Sequence, residues 1–427
     1  MTLRRVLFLS ALALVLVLVV AGSIGAVMFA AQGGMAPYRV PEGGTMALPA
    51  DAATLARGEY LARIGNCVGC HTARNGEPFA GGRGFRTDIG TVFSTNLTPD
   101  REHGIGAWSP EAFLHAMRHG VSRRGALYPV FPYAHFVQVS EADLLAILAW
   151  LRTLPPSASE PPPNRLEPPA DDRRALIGWR MLHYRPAEAQ PLDPADRGRY
   201  LVDGLGHCAM CHSRRGDHGS LVAGGHMAGG TIPGIGWYAP PLDRDQLARF
   251  SETELADYLR FGDSPHGAAY GPMAEVIQRS LSGLTPDDAL AMARHLKHIE
   301  PAPLREPTQA APAVAAGGGA GARIYREACA DCHGDNGEGV AGRYPPLRGS
   351  VSATAPDPVN AVRLVLYGGS PITSAANPRP HSMPPFVQQL DAGEVAAVVN
   401  HVRGAFGGRD SRLDASDVQA MSGIVLD

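Results

Sequence analysis

The chain opens on an unbroken apolar stretch and then changes to short amphipathic helices separated by Gly/Pro-rich loops. From Val6 to Gln32 there is no charged residue, a run long enough to cross a bilayer. Arg4 and Arg5 precede it, which predicts a cytoplasmic N-terminus and an exported remainder. A cleaved signal peptide has the same layout. The run is long for a signal, and a retained anchor over residues 1–32 is the favoured reading.

Beyond the apolar run the pattern repeats three times. RGEYLARIGNC begins at Arg57, RGRYLVDGLGHC at Arg197 and, more loosely, GARIYREAC at Gly321. Each predicts a short leading helix. Each repeat closes on a second amphipathic helix: SEADLLAILAWL from Ser140, TPDDALAMARHL from Thr285 and DAGEVAAVVNHV from Asp391. The cap residue is followed three positions later by Asp143, Asp288 or Glu394, the spacing that lets an acid satisfy free amides at a helix start. A third helix recurs between them, as SPEAFLHAMRHG, SETELADYLRFG and DPVNAVRLVLYG, each with eleven residues from the cap (Ser109, Ser251, Asp357) to the glycine (Gly120, Gly262, Gly368). The stretches 156–192 and 301–317 are rich in Pro, Ala and Gly and read as linkers. Within the first, RRALIGWRMLHYRP is expected to pack back on its own domain.

The six cysteines fall within the repeats as CVGCH (Cys67, Cys70, His71), CAMCH (Cys208, Cys211, His212) and CADCH (Cys329, Cys332, His333). This spacing is the c-type haem attachment signature: two thiols on one helical turn meet the vinyl groups, and the adjacent imidazole reaches the iron. A zinc site would need a second Cys or His pair nearby, and a redox dithiol would not require histidine at the same place three times. The expected cofactor is therefore three covalently bound haem c groups. The expected fold is mainly α, three tandem cytochrome c-like domains after an N-terminal transmembrane helix. Their bounds are 51–155, 193–300 and 318–407, with a C-terminal tail at 408–427.

Length and charge fit this picture. A chain of 427 residues exceeds one ordinary domain, and 50 glycines with 37 prolines suit small domains with long loops, which a covalent prosthetic group can staple. A net charge of -3 offers no basic stripe, so nucleic acid is not an expected partner.

A histidine-ligated haem iron commonly takes methionine on its other face. AYGPMAEV supplies Met273 and HSMPPF supplies Met383, both expected in loops before the closing helix. Met273 stands eleven residues after Gly262, but eleven residues after Gly120 stands Phe131, within GALYPVFPYAHF. Two replacements are open. Met117 precedes Gly120 by three, where the other copies have Leu259 and Val365, which are expected to face the porphyrin; His135 lies four past Phe131. Met117 is the favoured ligand, His135 the rival, and an open iron the third possibility.

GEYLARIGNCVGCHT, FAGGRGFRTDIGTVFSTNLTPD, GIGAWSPEAF, LYPVFPYAHF and GHCAMCHS together resemble the membrane-associated three-haem cytochrome c subunits of periplasmic dehydrogenases. That resemblance implies electron transfer from a catalytic subunit to ubiquinone or a terminal oxidase. It also implies a location on the periplasmic side of the bacterial inner membrane. His71, His212 and His333 would be the proximal ligands, with Met273 and Met383 opposite the last two. Alcohol and gluconate systems usually carry methionine where Phe131 stands. YPVFPY, GWYAPPL and GPMAEV look more like cytochromes that serve molybdenum hydroxylases, which implies a molybdopterin catalytic subunit for aldehydes or heteroaromatics and a small iron–sulfur subunit. The alternatives are a pyrroloquinoline quinone or flavin partner and, from a different class, a haem peroxidase using an open first iron. The sequence shows no substrate-oxidising site of its own.

Overall fold

The structure, a computed structural model, describes residues 3–31, 38–39, 46–184, 192–304, 319–375 and 377–422. A 29-residue helix spans Leu3–Ala31, about 43 Å long at 1.5 Å per residue. Its Leu9–Val27 stretch has a mean hydropathy of 2.5 and none of it is buried, the composition and reach of a membrane-crossing segment.

The rest is mainly helical and built on three crossings of a leading and a closing helix. Ala52–Ile64 crosses Glu141–Leu151, the segment Arg197–Leu205 crosses Pro286–His298, and Ala320–Ala328 crosses Ala392–Gly407. Each crossing is centred on a glycine. A Cβ added to Gly58, Gly198 or Gly321 would lie 2.0, 2.2 or 2.1 Å from the carbonyl oxygen of Ala146, Ala291 or Ala397. Only a residue without a side chain permits that approach. The second leading helix has one residue more between its glycine and first cysteine than the first. It absorbs the insertion as a π-helix over Tyr200–Leu205, closed by the Gly206 amide donating to the Leu201 carbonyl at 2.7 Å.

The intervening helix is alike in the first two repeats. Pro110–His119 and Glu252–Phe261 start at Ser109 and Ser251, whose side chains accept from the third amide on, and end at left-handed Gly120 and Gly262. Each then enters a two-stranded hairpin in which Ser122 or Ser264 donates to the carbonyl of Gly125 or Gly267. The third copy departs from the eleven-residue match. Its helix is Val359–Tyr367, capped by Pro358, and Gly368 has a ψ of -170°. Asp357 instead ties down Val359 and accepts from Thr231. The chain after Gly368 then pairs Gly369 with Met383.

The first two repeats share one core, in which Leu61, Ile64 and Leu148 pack in the same cluster as Leu201, Leu205 and Met292. The third has clusters of its own around Val362, Val395 and Tyr325. The linker expected over 156–192 carries regular structure within its described residues. Arg165–Leu166 adds a strand to the hairpin Gly84–Thr87/Gly90–Phe93. Helix Arg173–His183 packs back as expected, with Leu176 against Tyr128 and fully buried Arg180 stacked between Tyr133 and Tyr184. The expected tail likewise carries a helix, Ala415–Ser422, whose Val418 is buried beside Val362 and Val395. Apolar residues inside these connections explain both. Most of the second expected linker, 305–317, lies outside the described residues.

Candidate haem sites

The three Cys-x-x-Cys-His motifs occupy short helical turns directly after the leading helices. Each histidine is held in the same way. Nδ1 of His71 donates to the Thr95 carbonyl at 2.6 Å, that of His212 to Pro240 at 2.7 Å and that of His333 to Pro345 at 3.0 Å. Burial holds all three imidazoles below their ordinary pKa, with the carbonyl bond opposing it. The result is a neutral ring with its proton on Nδ1 and the Nε2 lone pair left for a metal, the arrangement in which an outer partner orients a ligating histidine.

The cysteines are unbridged. Burial pushes the thiols of Cys67 and Cys208 up to about 12 and those of Cys70 and Cys329 up to about 11. A reactive dithiol needs the opposite shift. Among the described residues no cluster of three His, Cys, Asp or Glu side chains could hold a bare metal ion, so a zinc site does not fit and a haem that brings its own four nitrogens does.

Cys208, Cys211 and His212 line the same cavity as Cys329, Cys332 and His333. Met273 and Met383 both line it, so the structure brings both methionines to the cavity that His212 and His333 share. Met273 is not in a loop as expected. It sits in the first turn of helix Gly271–Arg279, started by Gly271 at φ 53° where a Cβ would meet the Trp237 ring at 3.1 Å. Leu259 faces the cavity as expected from the repeat. In the third copy Leu364 lines the cavity and Val365 does not, one residue short of the expected match.

Comparison with known proteins agrees with this chemistry. The cytochrome c family matches residues 319–405. The gluconate 2-dehydrogenase cytochrome c subunit of Pantoea cypripedii is 37% identical over 397 residues, covering 87% of this chain and 90% of its own. The cytochrome c subunit of the quinone alcohol dehydrogenase of Gluconobacter oxydans is 36% identical over 405 residues, covering 89% and 84%. The chain belongs to the cytochrome c subunits of dehydrogenases. A nicotinate dehydrogenase subunit of Pseudomonas putida is also similar, 39% identical over 368 residues that make up 83% of this chain and 30% of that one. This cytochrome is accordingly an electron-transfer subunit with covalently bound haem c, working with a catalytic dehydrogenase partner.

At its first motif the cytochrome has Met117 buried on helix Pro110–His119, among core neighbours that include Phe79 and Phe113. Phe131 is half-buried against Phe136, ring centroids 5.5 Å apart. His135 is buried at the junction of the first two repeats. Its Nδ1 donates to the Asp203 carbonyl at 2.9 Å, and its Nε2 meets no hydrogen-bond partner among the described residues. Burial lowers its pKa to about 4.

The sequence reading missed the residues that join the repeats. Arg83 forms a two-pronged ion pair with Glu275, two residues past Met273, at 2.6 and 2.9 Å. It thereby ties the CVGC turn to the helix carrying Met273. Cys70 is within electrostatic reach of Cys211. Between the second and third repeats, Asn360 accepts from the Tyr238 amide and donates to its carbonyl, and buried Arg363 donates to the Ile235 carbonyl at 2.9 Å. The repeated RG-x-Y before the first two motifs was the available signal for a further junction, in which Tyr60 and Tyr200 donate to Asp288 and Asp143 of the other repeat.

Proposed function

We propose that the chain is a three-haem relay, built as three tandem cytochrome c-like domains and held by its N-terminal helix on the periplasmic side of the membrane. Cys67 and Cys70, Cys208 and Cys211, and Cys329 and Cys332 attach the groups. His71, His212 and His333 ligate them, with Met273 and Met383 opposite the last two. Bound haem supplies one-electron iron chemistry. The chain supplies spacing, burial and ligand orientation. The observation that carries this reading is that the second and third motifs and both methionines line one cavity.

For the first site the reading assigns Met117, because it stands in the repeat where Leu259 lines the second site's cavity. His135, whose Nδ1 is held by the Asp203 carbonyl and whose Nε2 has no hydrogen-bond partner among the described residues, is the alternative.

For the partner, we favour a molybdopterin dehydrogenase of aldehydes or N-heteroaromatics with a small iron–sulfur subunit, delivering electrons through the relay to ubiquinone. The short segments YPVFPY and GPMAEV support it, as does the similarity to a subunit of nicotinate dehydrogenase, an enzyme named for a heteroaromatic acid. The second reading, a flavin or pyrroloquinoline quinone partner, rests on the gluconate and alcohol dehydrogenase relatives matched over most of their length. Purification of the C-terminally tagged chain from native membranes tests both. Three haems per chain with co-purifying molybdenum is the expected result; flavin or pyrroloquinoline quinone without molybdenum would transfer the assignment to the second reading.

A further inference from the structure

Arg83 and Arg215 hold equivalent places in the first two repeats. Arg83 donates to the Gly69 carbonyl at 2.5 Å and Arg215 to the Met210 carbonyl at 2.7 Å. Gly69 and Met210 are the same motif position, the residue before the second cysteine. Each guanidinium therefore lies against the turn that carries the thioether bonds, within electrostatic reach of Cys70 or Cys211.

Their surroundings differ in charge. Arg83 is neutralised by Glu275. Arg215 is capped only by neutral acceptors: the carbonyls of Gly219, at 2.9 Å, and Met210, and the Met210 sulfur, at 3.2 Å. No carboxylate pairs with it among the described residues. From the first repeat, His135 lies within electrostatic reach of Arg215, and the Asp88 carboxylate is engaged by the amide and ring of His218 at 2.9 and 3.2 Å and not by Arg215. Asp203 approaches Cys208 but is matched by Arg199 at 3.6 Å. A fixed positive charge in a partly desolvated site favours the reduced, less positive form of a nearby iron.

We propose that Arg215 is a potential-setting residue, whose unneutralised charge beside Cys211 raises the reduction potential of the haem at 208–212, while Glu275 cancels the same effect of Arg83 at 67–71. The consequence is directional: the second haem is made the electron acceptor at the junction where Cys70 and Cys211 approach each other. This rests on the proposed haem attachment at both motifs.

The test is an optical redox titration of the purified full-length chain, with haem content measured on the same samples. Arg215→Gln is expected to lower one midpoint by at least tenfold in its one-electron equilibrium, ~59 mV, with Arg215→Lys staying near the wild type. Glu275→Gln, which frees Arg83, is expected to raise a midpoint and keeps the test available if Arg215→Gln does not fold. Full haem content with all midpoints of Arg215→Gln and Glu275→Gln within twofold of the wild type overturns the proposal. So does an equal fall for Arg215→Lys and Arg215→Gln, which would mark lost packing instead of lost charge. Fewer than three haems in the wild type would sink the attachment reading itself, and the proposal with it if the second motif is the empty one.

Discussion

Tyr60 and Asp288, 228 residues apart in the chain, share a hydrogen bond of 2.5 Å in which the phenol donates to the carboxylate. The reciprocal bond runs from Tyr200 to Asp143 at 2.6 Å. Each tyrosine also accepts from the backbone amide of the other repeat's cap residue, Thr285 or Ser140. That amide is the one an acid three positions on was expected to satisfy. Asp143 and Asp288 are released from that duty and bind Arg57 and Arg197 instead. Only the third closing helix, with Asp391 and Glu394, forms the full reciprocal box. The first two repeats are thus locked as a pair by exchanged side chains.

Tyr200→Phe removes a hydrogen bond to a charged acceptor at a fully buried site, so a loss of about 1.5–3 kcal/mol is expected. Tyr60→Phe is expected to cost less, because its ring is only half-buried. Urea unfolding of the two variants checks both; a larger loss from Tyr60 would contradict the ranking.

Burial alone would raise the pKa of Asp288, but the bonds from Arg197 and Tyr60 outweigh it and hold the carboxyl below its ordinary value. A folded pKa below the unfolded one means that the stabilisation is complete above the unfolded value, about 4, and is lost as pH falls through the folded value. Asp288→Asn should therefore be less stable than the wild type at neutral pH, with the gap closing below about pH 4. A constant gap across an acid titration of stability would refute the assignment.

Gly198→Ala would place a methyl group 2.2 Å from the Ala291 carbonyl. Because both partners are helix backbone, the crossing must open, at a cost of about 1–3 kcal/mol. Gly178→Ala, on an exposed face with open space around it, serves as the control and should change stability by no more than about 1 kcal/mol, since alanine favours helix.

Met273→Leu and Met383→Leu should each convert one haem to a high-spin form. Met117→Leu should do so at the first site. An unchanged low-spin spectrum for Met117→Leu, together with a changed one for His135→Gln, would reassign that ligand to His135 and bring a lower potential.

The attachment chemistry was readable because it is local. Two thiols and an imidazole in five consecutive residues land on one turn whatever surrounds them, and a glycine eight to ten residues before each first cysteine marks the leading helices. The caps at Ser109, Ser251 and Asp391 were readable for the same reason. Reading Met273 as a loop residue failed because Gly271 and Pro272 signal a break as readily as a helix start. The break is upstream, where Gly271 turns beneath Trp237.

By itself the sequence determined that an apolar helix precedes three copies of a helix–motif–helix unit, with every cysteine assigned to a haem motif. Only the tertiary structure decided how the copies meet. Tyr60 finds Asp288, Arg83 finds Glu275, and Asn360 finds Tyr238. Such pairs join residues more than a hundred positions apart, where no helical or strand period relates one side chain to the other. They form where burial removes water and leaves each polar group to find a partner in another repeat.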